Sequence, residues 1–174
     1  MSRFDPSNAE CFVLTYVAGA LSAVGHDLKL RVEQFQVEVD EKERRVEARF
    51  DPDSLRVEHA MKKGRDASGT LTEGDRKKIH KNIREDVLQP RKHPEIRFVS
   101  KRADERAGGY HVEGELTLHG TTRQIAFDVK RANGGYEAEV ALHQPDFGID
   151  PYRAAFGGLK VKPDVTVQFR TTSK

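Results

Sequence analysis

Alternation of apolar and polar residues with a period of two constrains this chain more than any other feature. Over residues 110–118, Tyr110, Val112, Gly114, Leu116 and Leu118 share one face, and His111, Glu113, Glu115 and Thr117 share the other. That is the pattern of a strand with one buried side. The alternation returns at Leu28, Leu30 and Val32, at Phe35, Val37 and Val39, and at Val46, Ala48 and Phe50. It recurs at Ile125, Phe127 and Val129, at Tyr136, Ala138, Val140 and Leu142, and at Val165, Val167 and Phe169. About eight or nine strands are expected, near residues 10–17, 27–34, 35–40, 45–51, 95–102, 109–118, 122–131, 135–144 and 164–171.

Turn residues separate these runs at short intervals, as at residues 40–43, 107–109, 119–121 and 133–135. Short loops between consecutive strands predict an antiparallel meander. A meander of that size closes most economically into a β-barrel, because closure removes both exposed edges. The chain is 174 residues with 36% hydrophobic and 33% charged residues, so a single domain over residues 1–174 is expected.

One segment changes period. Ile79, Ile83 and Val87 recur four apart among charged residues, and Thr72 stands three residues before Asp75 as a capping pair. The spacing predicts one amphipathic helix over about residues 73–88, ending at Gln89-Pro90 and lying against the barrel or closing one end of it. Residues 145–163, rich in Gly and Pro, read as a rim loop.

The residues expected to face inward are Leu28, Leu30, Val37, Phe50, Phe98, Leu116, Leu118, Ile125, Phe127, Val140, Leu142, Val167 and Phe169, none of them charged. Periodicity leaves open whether they fill a solid core or line a pocket for one apolar ligand. Catalytic and metal readings find no support in the spacing. The seven histidines form no H-x-x-x-H or H-E-x-x-H pair, the lone Cys11 sits among apolar neighbours, and nucleotide-loop and nucleophile-elbow signatures are absent. No catalytic residue, metal or cofactor is therefore expected. His26 at a barrel mouth is the histidine placed to meet a polar head group.

A net charge of +2 demands no polyanionic partner. Basic clusters at Lys62-Lys63-Gly64-Arg65, at Arg76-Lys77-Lys78 with Lys81, and at Arg91-Lys92-His93 offer a second reading, a solid barrel that binds anionic partners. They lack the interleaved aromatics of single-strand binders, so no nucleic acid is expected. No membrane span fits: the uncharged stretch from Cys11 to His26 is too short and is broken by Gly19 and Gly25. Without a secretory signal at the start, a cytoplasmic location is expected. Exposed edges or a shared rim leave a homodimer open.

Four motifs in order give a resemblance. Gly25-His26-Asp27, then His93-Pro94-Glu95-Ile96-Arg97-Phe98, then Gly114-Glu-Leu-Thr-Leu-His-Gly-Thr121, then Asp146-Phe147-Gly148-Ile149 resemble the YceI-like family of polyisoprenoid-binding proteins, over about residues 10–171. The stretch from Ala18 to Asp27 matches only a branch of that family. The resemblance implies a mainly β, lipocalin-like antiparallel barrel of eight or so strands with one inserted helix. It implies carriage or storage of a long-chain amphiphile, a polyisoprenoid, quinone or similar lipid, without chemical transformation. The tail would lie against the inward residues and Phe147, with His26 near the head group. Many relatives are periplasmic, where this chain shows no signal.

Overall fold

Two tight turns show how the strands are set. Lys63-Gly64 and His119-Gly120 each join two strands through two residues with positive φ, 52° and 75° in both cases. This backbone twist matches that of a hairpin. The computed structural model describes residues 1–18, 25–132, 134–154 and 158–172. Residues 19–24 of the Ala18–Asp27 stretch, Asn133 of one turn and residues 155–157 of the rim loop lie outside the described residues.

The strands are β1 (Ser2–Phe4), β2 (Ala9–Thr15), β3 (Val17–Ala18), β4 (Asp27–Val32), β5 (Phe35–Asp40), β6 (Arg45–Phe50), β7 (Leu55–Lys62) and β8 (Arg65–Ala67). After helix α1 (Glu73–Asn82) come β9 (Ile96–Arg106), β10 (Gly109–Leu118), β11 (Thr121–Ala132), β12 (Gly135–His143), β13 (Lys160–Val161) and β14 (Asp164–Thr171). Twelve form one antiparallel sheet in the order β1-β5-β6-β9-β10-β11-β12-β14-β2-β4-β7-β8, and β3 pairs with β13 in a second sheet.

This corrects the expected barrel. Among the described residues the large sheet ends at β1 and β8, which pair with no strand beyond them, so it does not close. The physical reason is one bent hairpin. Its tip half, β5–β6, lies toward one end of the sheet, and its base half, β4–β7, lies toward the other. The bend falls at Glu33-Gln34 and at the short helical turn Pro52–Ser54. Buried Ser54 holds this corner: its carbonyl accepts the Glu33 N–H (3.2 Å), its Oγ accepts the Gln34 N–H (3.0 Å), and its hydroxyl donates to the Asp51 carbonyl (2.8 Å). Chain continuity, and not a closing ladder, therefore brings the sheet's two ends together. Phe35 of β5 meets Phe169 of β14 edge to face with ring centres 6.0 Å apart, and Phe4 of β1 meets the same ring at 6.3 Å.

Cross-strand register places the apolar residues on one concave face. Val37, Ala48, Phe98 and Leu116 stand opposite one another on four neighbouring strands, as do Val140, Val167, Val13 and Leu30. Helix α1 has the expected capping box: Thr72 Oγ1 accepts the Asp75 N–H (3.1 Å), and Asp75 accepts the Thr72 N–H (2.9 Å). Past Asn82 the helix widens into a π-turn, Ile83–Leu88, and ends at Gln89 in the left-handed region. Residues four apart drift forward on an α-helix and backward on the wider winding. The change of winding therefore keeps Ile79, Ile83 and Val87 on one straight stripe.

Candidate functional site

The concave face encloses a cavity of about 520 Å³ lined almost wholly by apolar side chains. That falls within the range of small-molecule sites, roughly 300–1,000 Å³. Leu28 and Leu30 of β4, Val37 of β5, Phe50 of β6, Phe98 of β9, and Leu116 and Leu118 of β10 line it. So do Ile125 and Phe127 of β11, Val140 and Leu142 of β12, and Val167 and Phe169 of β14.

Phe147 is placed elsewhere. It is buried in the helical turn Gln144–Phe147 and lines a separate pocket with Arg123, Asp146 and Ile125, outside the main cavity. Strand alternation has ended by that residue, so period two no longer reports its direction.

Further lining residues escaped the sequence reading. Cys11 and Val13 of β2 line the cavity, and their spacing of two in an apolar run was a usable signal. Leu55 lines it from β7, a strand that alternation did not reveal. There Lys29 faces His59 while Leu30 faces Val57, leaving Glu58 as a bulge. The bulge moves the concave face from Leu55 and Val57 to Ala60, and the change of parity hides the strand.

The two ends of the cavity differ from its middle. At one end stand Arg44, Arg45 and Glu41 of the bent hairpin's tip with Tyr110 and Tyr136. The Tyr136 hydroxyl donates to Glu41 Oε1 (3.0 Å), and Arg131 donates to the Tyr110 hydroxyl. Burial, aided by Glu41, pushes the Tyr136 hydroxyl above the usual phenol range.

At the other end stand His26, Tyr152, Leu159 and the helix residues Ile79, Ile83 and Val87. The neighbours of His26 are held by packing and a hydrogen bond. A Cβ on Gly25 would stand 2.3 Å from Leu159 Cδ1, and Asp27 Oδ1 accepts the Val17 N–H (2.8 Å). His26 lines the cavity between them, facing the end that the helix caps.

Among the described residues, no group of three or more His, Cys, Asp or Glu could hold a metal ion. The Cys11 thiol, 1% exposed, is pushed up to about 12 by burial, the opposite of an activated nucleophile. No helix among the described residues is long and apolar enough to cross a membrane. What this arrangement can do chemically is hold an apolar molecule away from water, with polar groups at either end.

A profile of the YceI-like domain matches residues 3–173. Several solved structures share the fold. Burkholderia cenocepacia BcnA aligns with a TM-score of 0.66 and 14% identity, over 95% of this chain and 96% of that one. A polyisoprenoid binding domain from Saccharophagus degradans, implicated in plant cell wall breakdown, aligns at 0.56 and 12%, over 94% and 95%. The Campylobacter jejuni YCEI protein aligns at 0.56 and 12%, over 84% and 85%. At these identities the likeness is one of fold. No curated protein sequence matches the chain.

Proposed function

The chain belongs to the YceI-like domain family, whose members are non-catalytic, and from that membership and its cavity we propose that it binds and carries or stores a long-chain amphiphilic lipid. The ligand class is a polyisoprenoid, quinone or similar molecule, taken up without chemical change. The observation that carries the reading is the 520 Å³ cavity lined almost wholly by apolar side chains. A tail rests on the face formed by Leu30, Phe98, Leu118, Phe127 and Val167, and a head group stays at a polar end, where His26 is one contact. The polyisoprenoid binding domain of Saccharophagus degradans, alike in fold, supports the ligand class.

Energetics allow useful affinity. A tail of about twenty carbons at roughly 0.3 kcal/mol per atom contributes about 6 kcal/mol. That lies between millimolar and micromolar binding, and a longer tail or head-group contacts carry it further. The charged head need not leave water, so no buried unpaired charge opposes binding.

Organic extraction of the purified protein, with native and denaturing mass spectrometry, tests the proposal. The expected result is an apolar molecule in near-stoichiometric amount, whose mass identifies its class. A protein that comes up empty and takes up no added long-chain prenyl lipid overturns it.

A further inference from the structure

Helix α1 and the π-turn that follows it sort their cations by direction. Arg76 and Arg84 turn toward the body, with the neutral His80 between them on the same side. Arg76 Nη1 donates to the carbonyls of Val57 (2.7 Å) and Glu58 (3.1 Å), and Arg84 Nη2 donates to Asp53 Oδ2 (3.1 Å). Lys77, Lys78 and Lys81 turn outward and are exposed. The side chains of Lys77 and Lys81 are 77% and 68% exposed, with Glu73 and Glu85 as i,i+4 partners at 3.0 and 3.8 Å. Ion pairs so open to water hold their members loosely.

The asymmetry extends beyond the helix. Lys62, Lys63 and Arg65 are exposed on the β7–β8 hairpin, which stands beside His26 because Asp27 pairs with Met61. Arg91 and Lys92 are exposed just after the helix. Residues 56–93 hold 11 Lys+Arg against 6 Asp+Glu, a net +5 in a chain of net +2, so the remainder is net −3. The same segment supplies Leu71, Ile79, Ile83 and Val87, which cap the cavity.

From these placements we propose that the outer face of α1 and the β7–β8 hairpin dock on an anionic lipid bilayer, with the capped end of the cavity toward the membrane. Charge complementarity carries the choice of partner, because basic residues beside an anionic leaflet gain binding energy individually and additively. Position favours lipid over nucleic acid, since the cations share a segment with the residues that cap an apolar cavity. Residues 56–93 contain no Phe, Tyr or Trp on which bases could stack. The purpose of the docking, transfer between bilayer and cavity, rests on the carrier reading. The contact itself does not.

Co-sedimentation with vesicles tests it, comparing neutral phosphatidylcholine with mixtures containing phosphatidylserine at low and high salt. Binding is expected only to the anionic vesicles and should fall steeply with salt. The triple variant Lys77→Glu/Lys78→Glu/Lys81→Glu should partition about a hundredfold more weakly, at about fivefold per lysine. A control of equal charge change, Lys42→Glu/Lys101→Glu/Lys130→Glu, lies outside the segment and should retain most of the binding. Circular dichroism confirms that both variants fold.

Equal binding by the helix variant and wild type overturns the proposal, as does equal binding to neutral vesicles. Preference for a single-stranded oligonucleotide over anionic vesicles also overturns it. Lipid extracted from the cavity of a protein that ignores vesicles removes the docking inference and leaves the carrier reading. Vesicle binding by a protein that comes up empty and takes up no added prenyl lipid supports docking while removing carriage.

Discussion

Arg56 Nη1 lies 2.7 Å from His80 Nε2, tying the helix cap to β7. A guanidinium has no lone pair to offer, so the imidazole must accept at Nε2 and stay neutral for this contact to exist. Burial holds His80 below the ordinary histidine range, and the charges of Arg56 and Arg84 push the same way. Asp53 opposes them through its charge and a backbone hydrogen bond.

Acidification should therefore loosen the cap. The unfolded histidine titrates near about 6.5 and the folded one lower, so the unfolded chain takes up the proton first. This contribution to stability is complete above about pH 6.5 and is lost as pH falls toward the folded value. Hydrogen exchange over residues 73–88 should speed up between about pH 7 and about pH 5, after correction for the intrinsic rate. His80→Gln, which does not titrate, should flatten that dependence. Identical profiles for the two proteins would rule the latch out. His119, lowered by burial and by His93, titrates in both and cancels in the comparison.

Gly114 is predicted to resist even one added methyl group. A Cβ there would stand 2.4 Å from the Val99 carbonyl oxygen and 2.6 Å from Phe98 Cζ. The phenyl ring occupies the space a side chain would need, and it packs on Phe127 with ring centres 5.4 Å apart. The carbonyl belongs to a neighbouring strand and cannot swing aside as a side-chain tip could. Gly114→Ala should cost about 1–3 kcal/mol in urea denaturation. A loss well under about 0.5 kcal/mol would mean that the strands separate easily at this point.

Gly114 also marks the limit of what alternation could reveal. Register shifts beside it, where Glu113 faces Arg102 and Gly114 faces Ser100, so Lys101 bulges and the buried parity on β9 moves from Phe98 and Ser100 to Ala103. Local alternation located the concave residues on most strands because each step of two returns to the same face. It failed on β7, where the bulge at Glu58 broke the parity. The open sheet was not legible either, because pairings such as Phe50 with Ile96 or Cys11 with Phe169 leave no trace in the intervening sequence. The corner at Ser54 depends on hydrogen bonds to Glu33 and Gln34 that composition cannot report. The helix was legible because its signals, Thr72 with Asp75 and the stripe through Ile79, are all local.

Filling the cavity should separate ligand binding from stability. Val140 is half-buried on the concave face opposite Val167. Val140→Trp puts an indole into space that a ligand tail would use. Displacement of a fluorescent long-chain probe should show at least about tenfold weaker binding, with the thermal midpoint unchanged or raised. A solidly packed interior predicts the reverse, because overpacking costs about 1–3 kcal/mol and would lower the midpoint by several degrees.

Cys11 supplies an internal reporter of the same cavity. Its thiol is buried at the wall and held up to about 12, so at about pH 8 only a trace is thiolate in the folded protein. Alkylation should then proceed through opened molecules, with a rate that rises with urea as the opened fraction does. A ligand that binds only the folded protein reduces that fraction by the factor 1 + [L]/Kd. The rate of Cys11 labelling against added prenyl lipid should therefore fall along a binding curve and yield Kd without any attached probe. Fast labelling in native buffer, indifferent to lipid, would place the thiol in contact with solvent. It would also remove the sealed apolar wall on which the carrier reading depends.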